Sequence, residues 1–354
     1  MTATLLTARF DDGERRRLEA AIGAVETAGF GVDGVVLPRA ELVRRVSQVR
    51  RLIVEFEQID DDVLSAAPEL EVIACCRNEP GASVDIEAAT RRGIPVLFTP
   101  GRNATSVAEY TIGLMISATR GIAAAHHALH YTDKYTARPT SDFATRRDAT
   151  AQWSLDPGAP FDIFQGPELS GRWHHRFRAY RPGYREIVQR VRHVDRRLRP
   201  LRFQRVLAAN SVERVELMDL ARMSDVVAVA AKVTPESRGV VSRDFFEAMQ
   251  PHAYFVNTAR ASLVDYDALV EALRSRSIAG AALDVYPIEP LPSDSALLNF
   301  DNVALSPHLA GASTDVVRHH SRQTVDDLIR LERGERPRFL ANPSVFQAST
   351  RLRS

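Results

Sequence analysis

Lysine is almost absent from this chain of 354 residues: only Lys134 and Lys232 occur among 46 Lys and Arg side chains. Arginine without lysine is the mark of a GC-rich gene. Cysteine is as scarce, with Cys75 and Cys76 adjacent in "VIACCRN". Two cysteines exclude a multiply stapled framework and cannot complete a zinc site alone, so no metal is expected. Neighbours along a strand point to opposite faces, so the pair reads as two buried, reduced thiols. No apolar run approaches the roughly 18 residues that a membrane span needs. The start, "MTATLLTARFDDGERRRLEAA", has no basic-then-apolar leader pattern, and a cytoplasmic protein without membrane contact is expected. There is no internal repeat and no heptad run.

What is present fits a globular α/β protein, long enough for two domains with substantial cores. In the first hundred residues, "VDGVVLP" and "RLIVEF" read as strands and "DDDVLSAAPEL" as a capped helix. "LEVIACC" is a strand, "VDIEAATRRG" a helix ending at Gly93, and "IPVLFTPG" the next strand. This alternation predicts a parallel sheet covered by helices. Residues 106–130 are apolar at helical spacing and predict one long helix linking domains. Residues 131–170, rich in Thr, Asp, Pro and Gly, predict a long loop. Later, "VELMDLARMSD", "DFFEAM" and "DYDALVEALRSRS" read as helices. "VVAVAAKV", "AYFVNTA", "IAGAALDV" and "NVALSPH" read as strands of a second doubly wound sheet.

The net charge of +1 hides an asymmetry. Residues 172–205 carry twelve arginines against Glu186 and Asp195, a local +10 that leaves the rest of the chain at −9. Taken literally, "YREIVQRVRHVDRRL" has Ile187, Val188, Val191, Val194 and Leu198 near helical spacing among arginines. That is the pattern of a basic amphipathic helix able to bind nucleic acid or a membrane surface. On this alternative reading the chain is an inactive pseudoenzyme with a nucleic-acid-binding insert at 172–205.

Four stretches carry chemistry: "TPGRNATSVAEYTIGLM" (99–115), "VNTARASLVD" (256–265), "AALDVYPIEPLP" (281–292) and "NVALSPHLAGAS" (302–313). In this order and spacing they resemble the D-isomer-specific 2-hydroxyacid dehydrogenases, which include phosphoglycerate dehydrogenase, over about residues 65–345. The resemblance implies two doubly wound domains: a flavodoxin-like substrate domain (1–112 and 310–354) and a Rossmann NAD-binding domain (113–309), with the active site in the cleft between them. The chain ends soon after the substrate domain resumes, so no C-terminal regulatory domain is expected. The implied reaction is hydride transfer between nicotinamide and C2 of a small 2-hydroxy or 2-keto acid, such as 3-phosphoglycerate, hydroxypyruvate or glyoxylate. The implied cofactor is NAD, with NADP left open. Relatives are commonly homodimers, using the helix and loop near 107–150.

The matched positions make physical sense, because each follows a strand and ligands sit outside the carboxyl ends of such strands. Arg260 follows "YFVNTA", and a guanidinium there can hold a carboxylate or keto oxygen by paired hydrogen bonds. His308 follows "VALSP"; an imidazole can exchange a proton with the C2 oxygen as hydride moves. Glu289, in "YPIEP", would bond that imidazole and favour its protonated form. The resemblance makes Arg260, Glu289 and His308 catalytic. It places Thr258, Ala259, Asp284, His308 and Gly311 at the cofactor. On the substrate side, "CCRNEPGASVD" matches a turn whose backbone N–H groups hold the substrate carboxylate, implicating Arg77, Asn78, Pro80, Gly81 and, from the 99–115 motif, Asn103. Many relatives have a tighter turn here. A side-chain contact from Arg77 or Asn78 is one reading of the difference, and a merely longer loop is the other. Ala261 stands where glycine is frequent.

One part of the pattern is missing. A Rossmann domain opens with a strand, a glycine-rich turn and a helix whose N-terminus stabilises the pyrophosphate. The family places this after a phrase like "ELSG". Here "ELSG" (168–171) is followed by "RWHHRFRAYRPGYR", with no apolar strand and with Pro182 where the turn should open. Codons shifted by one base tell another story. Trp173/His174 must then give Gly, and the junctions onward to Arg181/Pro182 permit "GIIGFGRIG", a complete fingerprint. Asp195 to Phe203 permits "TVVYDPYV", whose Asp would bind the adenosine ribose. The expectation is that residues from about 172 to 204 are a frameshifted translation of an ordinary βαβ start, bracketed by two compensating base changes. The first βα unit of the cofactor domain is therefore disrupted at about 172–205, and this segment is expected to be irregular.

Overall fold

The computed structural model describes residues 4–131, 164–167 and 215–346. The arginine-rich stretch, the disrupted βα unit expected there and nearly all of the 131–170 loop lie outside these residues. The chain divides into two compact units, Met1–Asn103 with Ala312–Ser354, and Ala104–Gly311.

The first unit is built on five parallel strands in the order β2-β1-β3-β4-β5. They are β1 (Thr4–Leu6), β2 (Val25–Thr27), β3 (Arg51–Val54), β4 (Val72–Cys75) and β5 (Val96–Phe98). This is the flavodoxin-like order of a doubly wound sheet. β1, β3 and β4 are buried throughout, as expected of parallel strands covered on both faces. Alternation sorts their side chains into two layers. Leu5, Leu52, Val54, Ile73 and Cys75 pack on one face, and Leu6, Ile53, Val72, Ala74 and Cys76 on the other. Both cysteines are free and buried. Burial pushes the Cys75 thiol up to about 12 and the Cys76 thiol higher still.

Helices start where aspartate can cap them. Asp60 accepts the N–H of Val63 ahead of α4 (Asp61–Ser65), and Asp85 that of Ala88 ahead of α5 (Ile86–Arg91). Each such cap contributes about 1 kcal/mol. Other helices are α1 (Asp12–Ile22), α2 (Phe30–Asp33), α3 (Arg39–Val46), α6 (Ala104–Thr119) and α7 (Ile122–Tyr131).

Two expectations need correcting. "VDGVVLP" is no strand: it holds the end of α2, then Gly34 in the left-handed region (φ 79°) and an exposed loop with Val35 and Val36. The strand at this edge is β2, which lies earlier in the chain. The single helix expected over 106–130 is two helices. Gly121, at φ 60°, breaks it between α6 and α7, a conformation that glycine adopts without steric cost.

The second unit holds β6 (Val226–Val229), β7 (Tyr254–Asn257), β8 (Gly280–Leu283) and β9 (Val303–Leu305), parallel and in that order among the described residues. Leu114 and Met115 of α6 pack on the face formed by Val226, Ala228, Val256, Ala282 and Ala304. The opposite face meets α8 (Leu217–Met223), α9 (Arg243–Ala248) and α10 (Tyr266–Arg274) through Leu220, Phe245, Phe246, Leu269 and Leu273. No helix among the described residues is long and apolar enough to cross a membrane.

The last helix, α11 (Asp315–Glu332), returns to the first unit and carries a buried imidazole. His320 is 1% exposed. Its Nδ1 accepts from Arg102 Nη1 (2.9 Å), and its Nε2–H donates to the Arg9 carbonyl (2.7 Å). Burial outweighs the carbonyl bond and, with the nearby Arg102 and His319, pushes its pKa down from 6.5 to about 4. The unfolded chain therefore binds a proton that the native chain refuses. Stability from this group is complete above pH 6.5 and is lost as pH falls toward 4, by up to roughly 3 kcal/mol. Urea titrations between pH 7 and pH 4 are expected to show this slope and to show it flattened in His320→Gln. An equal slope in the variant would remove His320 as its source.

Candidate active site

Three of the four sequence motifs fall on the carboxyl ends of β7, β8 and β9, where three loops meet. Asn257 closes β7 and is fully buried. Its Oδ1 accepts from Ala259 N (3.0 Å) and its Nδ2 donates to Arg260 O (3.1 Å). One amide side chain thus folds the loop that presents Arg260. Thr258 is buried beside it, its hydroxyl 2.7 Å from that of Thr111 on α6. The Arg260 guanidinium donates to the Ala259 carbonyl (2.7 Å), and its remaining donors carry no carboxylate among the described residues.

Beyond β9, His308 takes φ 58°, unusual for a residue with a side chain. Asp284, fully buried at the end of β8, holds that conformation. Its Oδ1 accepts from Ser306 Oγ (2.6 Å) and Leu309 N (2.8 Å), and its Oδ2 from Ala310 N (2.8 Å). One carboxylate therefore ties down the Ser306 hydroxyl before His308 and two backbone N–H groups after it. His308 Nδ1 lies 2.7 Å from Glu289 Oε2. The other carboxylate oxygen of Glu289 accepts from Tyr286 N (2.9 Å). Burial pushes the Glu289 carboxyl up, but the bonds from His308 and Tyr286, with the charges of His308 and Arg260, outweigh it. The carboxyl titrates below its ordinary value. The pair stays open to solvent, 44% and 36% exposed, so the imidazole can reach a bound small molecule.

Arg260, Glu289 and His308 line one pocket of about 470 Å³ with Ser262 and Tyr286. A guanidinium, an imidazole and a carboxylate behind the imidazole can bind an acid and pass a proton to it. The structure brings together all three residues marked as catalytic in the sequence, with Thr258, Ala259, Asp284 and Gly311 on the same loops. The substrate-side residues belong to the first unit. There Asn78 Nδ2 donates to Asn103 Oδ1 (2.9 Å) and Asn78 Oδ1 accepts from Gly101 N (2.7 Å). Pro80 and Gly81 form a 3-10 turn, with Pro80 buried and Gly81 exposed. Sequence reasoning missed Asn257 and Ser306, whose only signal is a polar residue at the end of, or just beyond, an apolar strand.

The described loops fit the nicotinamide end of a dinucleotide. A carboxylate has about four acceptor positions. Asp284 uses three of them inside the protein, so its part here is to hold the loop that carries His308. The stretch where the sequence leads one to expect the pyrophosphate-binding turn, 172–205, lies outside the described residues. Among the described residues no cluster suits a metal ion.

Comparison with known proteins gives the family. Residues 186–310 match the family model described as D-isomer specific 2-hydroxyacid dehydrogenase, NAD binding domain. The match opens past the stretch where the fingerprint would stand. The chain is 33% identical to the glyoxylate reductase of Thermofilum pendens, covering 87% of this chain and 86% of that one. It is 31% identical to the D-3-phosphoglycerate dehydrogenase of Archaeoglobus fulgidus, over 92% of this chain but 58% of that longer protein. Among solved structures, it is similar to the NADPH-dependent glyoxylate/hydroxypyruvate reductase of Sinorhizobium meliloti. That likeness has a TM-score of 0.63 at 25% identity and covers 97% of this chain and 99% of that one.

Proposed function

The chain belongs to the D-isomer specific 2-hydroxyacid dehydrogenases, NAD-dependent oxidoreductases acting on small 2-hydroxy or 2-keto acids, and from that premise we propose a role for each residue of its pocket. The observation that carries the reading is the 2.7 Å contact of His308 with Glu289 in the pocket that Arg260 also lines. Arg260 holds the carboxylate and keto oxygen of the acid by charge-assisted bonds. A nicotinamide cofactor, when bound, would supply the hydride. His308 gives a proton to the C2 oxygen in reduction and takes it back in oxidation. Glu289 fixes the imidazole through Nδ1, which leaves Nε2 as the working nitrogen. Thr258, Ala259, Asp284 and Gly311 are the residues that would hold the nicotinamide end.

The substrate is a small 2-keto acid, for which glyoxylate, hydroxypyruvate and 3-phosphoglycerate are the candidates that the resemblance implies. The cofactor is NAD, with NADP open because the ribose-binding Asp exists only in the shifted frame. The free thiols Cys75 and Cys76 support a cytoplasmic setting. Exposed Ile122, Leu129 and Tyr131 on α7 support a homodimer through this helix. Steady-state oxidation of NADH with glyoxylate or hydroxypyruvate, in a chain whose codons for about residues 172–204 are read one base along, tests the pocket. Arg260→Met is expected to lower kcat/KM by about ten- to a hundred-fold, and Arg260→Lys to recover only part, since the planar fork is lost. Full activity in Arg260→Met would sink the assignment.

A further inference from the structure

Two tyrosines tie down the loop beyond β8, and the proposed reaction uses neither hydroxyl. Tyr266, which opens α10, donates to the Val285 carbonyl. Tyr286 is 6% exposed. Its hydroxyl lies 3.0 Å from the Leu283 carbonyl, at the end of β8, and 3.0 Å from the Ser306 carbonyl, just beyond β9. A phenol has one proton to donate, so the two carbonyls share it. Burial pushes the phenol up to about 12, so it stays a neutral donor across the neutral range.

Neither carbonyl depends on this hydroxyl for a partner. Leu283 O already accepts from Ser306 N (3.0 Å), and Ser306 O from His308 N (3.1 Å). What the hydroxyl adds is closure. Tyr286 N donates to Glu289 Oε1 (2.9 Å), and Glu289 Oε2 lies 2.7 Å from His308 Nδ1. The His308 backbone N–H reaches Ser306 O, and the Tyr286 hydroxyl returns to that same oxygen. The contacts therefore run in a circuit from Tyr286 to Glu289, His308 and Ser306 and back to Tyr286. Without the hydroxyl the circuit is an open chain, and the β9 loop can drift from the β8 loop that carries Glu289. A working side chain must be held to about 0.5 Å of its productive geometry, so such drift bears directly on the imidazole.

We infer that the Tyr286 hydroxyl is a positioning group for proton transfer, holding the His308 loop where Glu289 can keep the ring proton on Nδ1 and leave Nε2 free. The inference rests on the roles proposed above for His308 and Glu289. Tyr286 acts through these two residues.

Tyr286→Phe removes one oxygen and keeps the aromatic ring and the backbone N–H to Glu289. Nitrogen-15 NMR of the full chain at alkaline pH reads the His308 tautomer, with the signal assigned by its loss in His308→Gln. The unaltered protein is expected to hold the ring mainly as the Nδ1–H form, because Glu289 accepts that proton. In Tyr286→Phe the ratio of Nδ1–H to Nε2–H should fall by about three- to ten-fold. In a chain whose codons for about residues 172–204 are read one base along, the same variant should lower kcat by about three- to ten-fold. KM should stay within about two-fold, since Arg260 still holds the acid. Tyr266→Phe takes a hydroxyl from the same loop without opening the circuit. It should lower stability in urea and leave the His308 tautomer ratio in place. An unchanged tautomer ratio or an unchanged kcat in Tyr286→Phe overturns the positioning role alone. So does an equal change of tautomer ratio in Tyr266→Phe, which would make the effect a general loosening of the loop. A ring with no Nδ1–H preference in the unaltered protein overturns the pairing of Glu289 with His308 as well.

Discussion

A chain in which the codons for about residues 172–204 are read one base along is expected to bind NAD in the micromolar range, while the chain as translated binds it no more tightly than about 1 mM. The physical difference is the glycine turn. Three glycines allow the backbone to come within hydrogen-bond reach of a pyrophosphate, and the helix that follows directs free N–H groups and a partial positive charge at it. "RWHHRFRAYRPGYR" has neither feature. Its arginines would attract phosphate without ordering it. The arginines have a simple origin in the shifted reading, because a GC-rich gene read out of frame yields many CGN codons. Resequencing the gene across codons 165–210 comes first, then calorimetry on both chains. Micromolar NAD binding by the translated chain would refute the frameshift. Strongly salt-dependent nucleic-acid binding by that chain would favour the literal reading instead.

In the frame-restored chain, His308→Gln is expected to lower kcat by about 10²- to 10⁴-fold with NAD affinity unchanged. Glutamine can hydrogen-bond to the keto oxygen but cannot deliver a proton to it. Glu289→Gln should cost less, because the amide keeps a contact to the imidazole and removes only the charge. The pH profile separates the two. The Glu289 carboxyl titrates below its ordinary 4.5 in the folded protein. Its contribution is therefore present throughout the neutral range and is lost only as pH falls through that depressed value. An acid limb set by this group should vanish in Glu289→Gln. Rapid-mixing absorbance at 340 nm, with a solvent isotope comparison, reads the step directly. Wild-type kcat in His308→Gln would end the proton-transfer assignment.

Much of this architecture is legible in the sequence, because a parallel strand buried on both faces must be a short unbroken apolar run. β3, β4, β6, β7 and β8 announce themselves this way. β2 does not: "VET" is three residues at a half-buried edge. The nearby "GVVLP" offers the β-branched lure instead, although Gly34 and Pro38 punctuate it. The stretch 106–130 reads as one helix for a related reason. Apolar spacing continues across "TRG", and the stop signal at Gly121 is a single residue within a long periodic run. Arg260, Glu289 and His308 are legible through motifs rather than periodicity. What holds them is not, because Asp284 reaches Ser306, Leu309 and Ala310 over more than twenty positions. Local sequence carries no trace of such a contact. The Asn78–Asn103 pair is hidden for the same reason, since only the strand order brings the two loops together.

The two cysteines have a use beyond packing. Cys75 and Cys76 are consecutive at the end of β4, yet their sulfurs sit in different layers of the first unit, one beneath the α4 and α5 side and the other beneath α1 and α11. Any event that frees the whole strand exposes both together. An event that lifts one helical layer exposes one alone. Their separate rates of alkylation, compared at each denaturant concentration, therefore resolve the peeling of either layer from the unzipping of the sheet. The strand carries its own pair of molecular clocks, one set on each side.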